Sequence, residues 1–125
     1  MAPTQSCALG AAGEAAAAAW LAQQGYQLLA RNVRTRYGEI DLVVRCGDVV
    51  VFVEVKSRTG SGFGHPGEAV AVAKQRRLAR LASAYVLTHR LEGCAIRFDV
   101  IAVHATPEGG VGHIEHIPDA FQVTL

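Results

Sequence analysis

The spacing of apolar residues along the chain predicts its helices and strands. The segment Leu9–Gln24 is rich in alanine, contains no proline and is followed by Gly25, so it predicts a helix that ends at this glycine. The segments 39–45 and 49–56 are dominated by Val, Ile, Leu and Phe. The turn residues Gly47-Asp48 separate these two segments, and this pattern predicts a β-hairpin.

The remaining segments predict further elements on either side of the hairpin. Residues 26–33 mix apolar and polar side chains and are interpreted as a first, edge strand. The glycine-rich stretch 57–67 predicts a loop that either faces a substrate or merely connects two elements. Residues 69–87 carry apolar side chains at spacings of three and four, which predicts an amphipathic second helix. Strands are expected at 96–103 and at 111–117, so the order is αβββαβ with an additional strand, in a single domain.

Composition limits the class of protein without indicating a function. Half of the 125 residues are apolar, which suffices for one buried core. The net charge is +1 and the pI about 7.8, so binding to a polyanion would depend on local clusters of basic residues. Three cysteines without a CxxC pair favour neither a disulfide framework nor zinc, which predicts a reducing, cytoplasmic location. No apolar run approaches the ~20 residues that cross a bilayer, so no membrane partner is expected.

The hairpin predicts a cluster of charges. A two-residue turn opposes Asp41 to Glu54 and Glu39 to Lys56, because it sets the register of the strands. With side chains alternating, these four residues are expected on one face, and the other face is expected to carry Ile40, Leu42, Val53 and Val55. Two opposed carboxylates repel each other unless a cation or a proton lies between them, which predicts a site for Mg²⁺ or Mn²⁺. The alternative is that these charges form the solvated face of a hairpin. The continuous apolar run 49–55 argues against this alternative, because it indicates that the strand is buried on both faces.

Four short motifs, in order along the chain, resemble those of one family. They are Gly38-Glu39-Ile40-Asp41-Leu42, Val53-Glu54-Val55-Lys56-Ser57-Arg58, Lys74-Gln75-Arg76-Arg77 and Arg97-Phe98-Asp99-Val100, preceded by Gly10 to Glu14 in helix one. In this set the chain resembles the bacterial YraN family of uncharacterised proteins. That family is similar to archaeal Holliday-junction resolvases within the PD-(D/E)XK nuclease superfamily. The resemblance implies an α/β fold with a restriction endonuclease-like αβββαβ core, in which helices flank a mixed central sheet.

The resemblance also implies a catalytic site on the hairpin. Asp41 and Glu54 would be metal ligands, the backbone carbonyl of Val55 would be a third, and Lys56 would be the catalytic lysine. Such a lysine could orient a water or balance charge on the phosphate under attack. Ile40 stands where the superfamily name has proline, a departure that leaves the chemistry of Asp41 unchanged.

Two further residues are implied to belong to this site. Glu14 resembles the additional acid on helix one of the resolvase-like branch, and Gln75 resembles a polar residue of helix two beside the active site of related nucleases. Glu14 and Glu39 could add oxygens, so one or two metal ions are expected. Outside the resemblance, Glu14 is equally interpreted as an ordinary helix-surface charge.

Basic residues of helix two form the candidate nucleic-acid surface. Lys74, Arg76, Arg77 and Arg80 could contact phosphates along a duplex and release its counterions, and Arg58 is grouped with them. The alternative is a solvated helix face.

Two pairs of aromatic residues receive structural interpretations. His113 and His116 would point to opposite faces of a strand, so they are interpreted as surface residues that cannot chelate one ion. Trp20 and Tyr85 are interpreted as core residues.

The leading hypothesis from the sequence is a metal-dependent endonuclease that hydrolyses phosphodiester bonds in DNA. Branched DNA or repair intermediates as substrates follow from analogy of fold alone, and a resolvase role implies a homodimer. No small-molecule cofactor is expected. The alternatives are a catalytically weak or inactive nucleic-acid-binding accessory protein with the same fold, and a purely structural domain.

Overall fold

The computed structural model of the protein describes residues 5–58 and 70–123, with side chains described from Gly10 onward. No helix within these ranges is long and apolar enough to cross a membrane. The elements follow the predicted order with the additional strand, which confirms the α/β fold. Their bounds are α1 Gln5–Gln23, β1 Gln27–Thr35, β2 Gly38–Cys46, β3 Val49–Arg58, α2 Val72–Thr88, β4 Ala95–Ala105 and β5 Val111–Ile117.

The elements differ from their predicted bounds mainly at the ends. Helix α1 begins at Gln5, and β3 includes Ser57-Arg58, which the glycine-rich pattern assigns to the loop. These two residues are extended because both pair with β4. Helix α2 begins at Val72. The rest of the predicted loop, 59–67, and the predicted helix start at Ala69 lie outside the described residues.

The five strands form one mixed sheet in the order β1-β2-β3-β4-β5. Neighbouring strands are antiparallel except β3 and β4, which run parallel. A parallel pair needs a crossover connection, and α2 lies in the chain between these two strands. The sheet is therefore consistent with the mixed central sheet of a restriction endonuclease-like core.

The sheet buries an apolar layer on each face. Leu21 of α1 packs with Val53 and its neighbours in one layer, and Leu81 of α2 packs with Phe52 and its neighbours in the other. Successive residues of β3 thus enter opposite layers, as the pleat of a strand requires. This confirms that β3 is buried on both faces, so the charges near its end lie close to the core.

Candidate metal centre

The hairpin ladder between β2 and β3 ends beside Asp41. Its register is the predicted one as far as the pair Leu42–Val53. Beyond this pair, Asp41 Oδ2 accepts a hydrogen bond of 2.8 Å from the backbone N–H of Val55. A side chain therefore takes the place that a backbone carbonyl would occupy in a continued ladder. The ladder does not reach the predicted opposed pairs Asp41–Glu54 and Glu39–Lys56, which corrects this part of the prediction.

The prediction that Ile40 and Leu42 share a sheet face is also wrong. Ile40 packs in the α2 layer together with Val43, whereas Leu42 packs in the α1 layer. Strict alternation would place Ile40 and Val43 on opposite faces, so β2 loses its regular pleat at Asp41. The neighbouring strand departs from extended geometry at the same level, where Asn32 has a left-handed φ of 51°. This irregularity redirects the acidic side chains of β2.

Three carboxylates meet where β2 leaves the ladder. Oxygens of Glu14, Glu39 and Asp41 all lie within 4.8 Å of one another. Glu14 comes from α1, which lies close to the sheet because Gly13 has no side chain. A Cβ at Gly13 would come within 2.9 Å of Ser57 Oγ. The structure thus brings together the carboxylates of two predicted site residues, Glu14 and Asp41, and that of Glu39, which was expected to add further oxygens.

Asp41 sits in an unfavourable environment for an anion. Burial, and next the charge of Glu54, raise the pKa of Asp41 to about 7, and Glu14 and Glu39 add to the rise. The hydrogen bond from Val55 opposes this increase in pKa. A carboxylate with such neighbours is stabilised by a cation or by a proton. This is the electrostatic property expected of a metal ligand.

Glu54 adjoins the acidic cluster but is held by the helix on the other face of the sheet. Its side chain is 9% exposed and forms an ion pair with Lys74 Nζ of α2. An unpaired charge is costly at such burial, and the ammonium group of Lys74 offsets this cost for the Glu54 carboxylate. The four predicted hairpin charges therefore do not share one face. Glu39 and Asp41 meet α1, whereas Glu54 meets α2.

Lys56 lies near both signs of charge. Burial lowers the pKa of Lys56, the nearby Glu54 carboxylate opposes this, and the charges of Lys74 and Arg58 lower the pKa further. Arg58, at the end of β3, is thus close to the predicted catalytic lysine. Carboxylates and ammonium groups meet at this end of β3.

The donor set suits a hard divalent cation. Mg²⁺ and Mn²⁺ prefer carboxylate, carbonyl and water oxygens, and Glu14, Glu39 and Asp41 offer three carboxylates. Glu54 is close enough to raise the pKa of Asp41. The carbonyl of Val55 belongs to the residue whose N–H anchors Asp41, and its role as a ligand stays a prediction.

The polar residues of α2 take different positions. Lys74 turns toward Glu54, whereas Gln75 Nε2 donates a hydrogen bond of 2.9 Å to the carbonyl of Val70. The amide of Gln75 therefore stabilises the backbone just before α2. Its place beside the active site stays a prediction. Three of the residues predicted to contact phosphates are exposed on this helix, namely Arg76, Arg77 and Arg80.

A second polar cluster, which the sequence analysis did not assign, lies around Asp99 of β4. This residue is 0% exposed. Its carboxylate accepts two bonds of 2.8 Å from the Arg97 guanidinium and one of 2.9 Å from the N–H of Asp119, and lies 2.7 Å from His116 Nε2. Arg97 also donates to the hydroxyl of Tyr26 at 2.7 Å. The available signal was an Arg and an Asp within the apolar run of β4, where a buried strand carries charges only if they are paired.

The aromatic interpretations are confirmed in part. Tyr85 is buried at 7% exposure, and Trp20 is partly buried in the α1 layer. His113 is exposed, as predicted. The interpretation of His116 as a surface residue is wrong, because its side chain is 11% exposed and contacts Asp99. The Trp20 ring lies edge-on to the His116 ring, with 5.2 Å between centroids.

Comparison with known proteins identifies the family. The profile of the uncharacterised protein family UPF0102 matches residues 13–103. A UPF0102 protein of Symbiobacterium thermophilum is 56% identical over 101 residues, which cover 81% of this chain and 86% of that protein. Another, of Chlorobium chlorochromatii, is 50% identical over 125 residues, which cover 97% of this chain and 96% of that protein. The chain therefore belongs to the uncharacterised protein family UPF0102, the group that the resemblance names as the YraN family.

Proposed function

We propose that the protein is a metal-dependent endonuclease that hydrolyses phosphodiester bonds in DNA. The observation that carries the proposal is the meeting of three carboxylates, those of Glu14, Glu39 and Asp41, within 4.8 Å. Glu54 is close enough to raise the pKa of Asp41, and Lys56 lies near Glu54 toward the end of β3. The resemblance of the two hairpin motifs to those of PD-(D/E)XK nucleases supports the same reading.

The acids are the groups that would hold Mg²⁺ or Mn²⁺. Asp41 and Glu54 are the proposed principal ligands, and Glu14 and Glu39 supply further oxygens for one or two ions. When bound, such an ion offsets charge on the scissile phosphate and lowers the pKa of a coordinated water. Asp41 contributes because its Oδ2 is fixed by Val55, so little reorientation of the carboxylate is needed.

Lys56 is the proposed catalytic lysine. Burial lowers its pKa, Glu54 opposes this decrease, and Lys74 and Arg58 add to it. Its ammonium group would balance charge on the phosphate and orient the attacking water. Gln75 is retained as a supporting residue.

The basic side chains of α2 are the proposed contacts to the DNA backbone. Such contacts position a duplex without reading its sequence, and they make binding weaker at higher salt. Branched DNA is proposed as the substrate by analogy of fold. Paired cuts in a four-way junction would require a homodimer with two active sites, which sedimentation equilibrium would reveal.

Cleavage of labelled linear, flap and four-way DNA in Mg²⁺ or Mn²⁺ tests the proposal. We expect product with the wild type, and a loss of at least about 100-fold in rate for Asp41→Ala and Lys56→Ala, the scale of losing a group that stabilises the transition state. Calorimetric titration with Mn²⁺ should show weaker binding to Asp41→Ala. Glu108→Gln removes an exposed acid in the turn between β4 and β5 and serves as the matched control.

The outcomes separate the enzyme from the alternatives. Equal cleavage by all variants would point to a contaminating nuclease and leave no role for this site. Salt-dependent DNA binding without cleavage or Mn²⁺ binding would favour the accessory nucleic-acid-binding protein. Absence of binding to DNA and to Mn²⁺ would favour the structural domain.

A further inference from the structure

An open cleft lies between the turn that joins β1 to β2 and the outer face of α2. Its volume is about 360 Å³, within the range of roughly 300–1,000 Å³ found for small-ligand sites. Three guanidinium groups and one aromatic ring dominate its lining, which comprises Tyr37, Ala73, Arg76, Arg77 and Arg80. The cleft thus combines concentrated positive charge with an aromatic surface.

The turn presents the ring of Tyr37 to solvent in a defined position. Tyr37 is 60% exposed, although its backbone N–H is bonded to Thr35 Oγ1 at 3.0 Å. The guanidinium of Arg36 lies 4.8 Å from the ring centroid and donates a bond of 2.5 Å to the Tyr37 hydroxyl. Arg36 thus lies over the ring and orients it, and at 60% exposure the ring keeps surface on which another planar group can stack.

The turn is also packed against the helix that carries the arginines. A Cβ at Gly38 would come within 2.9 Å of Arg77 Cδ, so the absence of a side chain lets β2 and α2 approach here. Among the ion pairs of residues 5–58 and 70–123, none involves Arg76, Arg77 or Arg80. Within the described part of the chain, these guanidinium groups are therefore available to an anion.

The cleft approaches the candidate metal centre from the α2 side of the sheet, where Glu54 lies. On α2, Lys74 holds Glu54 and lies one position from Ala73 and three from Arg77, a spacing at which helical side chains are neighbours. Tyr37 lies in the turn before β2, four residues or roughly 13 Å of extended chain from Asp41, whose carboxylate meets α1 on the other side of the sheet. A nucleic acid that reaches Glu54 on the α2 side of the sheet can therefore also reach the cleft.

We propose that this cleft binds an unpaired nucleotide of the substrate, with its base against Tyr37 and its phosphate against the α2 arginines. The inference rests on the proposed nuclease function and names the substrate class as DNA with a single-stranded element next to the cleavage site. In a duplex each base is paired and stacked between neighbours, so a base can enter the cleft and stack on the tyrosine only when it is unpaired. Guanidinium groups recognise phosphate whatever the sequence.

Binding without catalysis tests the inference. Fluorescence anisotropy would compare a blunt duplex, the same duplex with a single-stranded overhang, and that overhang with abasic sites, in EDTA and on an Asp41→Asn background. We expect the overhang to bind about 5- to 150-fold more tightly than the blunt end, the range for stacking of one base. The abasic overhang and the Tyr37→Ala variant should each lose that preference, whereas Tyr37→Phe should keep most of it.

The arginines and a control variant make the test specific. Arg77→Gln should weaken binding of every DNA and reduce the slope of affinity against salt by about one, as expected for a lost phosphate contact. Arg90→Gln, an exposed arginine beyond α2, should behave as the wild type. Equal binding of blunt and overhanging DNA, or an unchanged preference in Tyr37→Ala, would overturn the proposed subsite.

These binding data, taken together with the cleavage assays on the wild type, Asp41→Ala and Tyr37→Ala, separate this inference from the proposed function. A preference for the overhang that depends on Tyr37, in a protein that never cleaves, supports the subsite and removes the nuclease. Cleavage that depends on Asp41 but ignores Tyr37 supports the nuclease and removes the subsite.

Discussion

Asp41 combines burial, three neighbouring carboxylates and one backbone donor. Ordinary aspartates titrate near 3.9, whereas this environment raises the pKa of Asp41 to about 7. A folded-state pKa above the unfolded value means that the folded protein binds more protons between these two pH values. The contribution of Asp41 to the stability of the metal-free protein should therefore fall as pH rises from about 4 through 7.

We predict that Asp41→Asn raises the melting temperature of the metal-free protein at pH 8, because it removes an ionised group from the acidic cluster. At pH 5, where Asp41 is largely protonated, the two proteins should melt at more similar temperatures. Addition of Mg²⁺ at pH 8 should stabilise the wild type and leave Asp41→Asn nearly unchanged, since a bound cation stabilises only the protein that holds it. Thermal melts in EDTA and in Mg²⁺ measure both effects.

Glu108→Gln again supplies the control, because it changes the net charge equally at an exposed turn. Equal melting of Asp41→Asn and the wild type at pH 8 in EDTA would show that carboxylate repulsion is not felt at this position.

At the scale of elements, the ion pair between Lys74 and Glu54 joins α2 to β3 beside the candidate metal centre. The ammonium group meets a carboxylate that is itself a proposed ligand. A divalent cation and Lys74 therefore compete for Glu54, and Lys74 differs in this respect from the exposed arginines of the same helix.

We predict that Lys74→Met increases the affinity of the protein for Mn²⁺, because it removes both a competitor and a repelling charge. The same change should destabilise the metal-free protein by on the order of 1–3 kcal/mol, less than the 3–5 kcal/mol of a fully buried pair, since Lys74 is 42% exposed. Calorimetric titration with Mn²⁺ and urea unfolding in EDTA measure the two quantities.

Arg76→Met removes an exposed positive charge two positions along the same helix, and we expect it to change neither quantity appreciably. A Lys74→Met protein that binds Mn²⁺ more weakly than the wild type would instead indicate that Lys74 keeps Glu54 oriented for the metal.

For the whole molecule, the Asp99 cluster connects segments that are distant in the chain. Arg97 links it to Tyr26, directly before β1, and His116 and Asp119 link it to β5 and the segment that follows. Burial by itself would raise the pKa of Asp99, but the hydrogen bonds from His116, Arg97 and the Asp119 N–H outweigh it and hold the pKa below its ordinary value.

We predict that Asp99→Asn lowers the free energy of unfolding by about 3–5 kcal/mol near pH 7, because it leaves a partly buried guanidinium without its partner. A depressed folded-state pKa means that the contribution of Asp99 is present above its unfolded pKa near 3.9 and is lost as pH falls through the folded value. The wild type should therefore lose stability below about pH 4 more steeply than Asp99→Asn. Urea unfolding across this range measures the difference.

Asp119→Asn is the matched control, since this exposed residue has a positive φ of 51° that asparagine also tolerates. If Asp119→Asn lost as much stability as Asp99→Asn, the turn around Asp119, and not the buried charge, would account for the effect.

The sequence by itself determined the order of elements and the hairpin register next to its turn. Both follow from patterns among residues close in the chain, such as the Gly47-Asp48 turn and the continuous apolar run of β3. Family resemblance then directed attention to Glu14, which lies far from Asp41 in sequence, and the structure brings their carboxylates together.

Only the tertiary structure decided which face each charge occupies. The period-two rule assumes a regular strand, and β2 loses its regular pleat at Asp41, where a side chain bonds to Val55 in place of a continued ladder. The partnership of Lys74 with Glu54 and the cleft beside Tyr37 depend on how α2 lies against the sheet. These contacts join residues whose spacing in the chain carries no local signal, so the physical reason for the difference is the packing of the helices on the sheet.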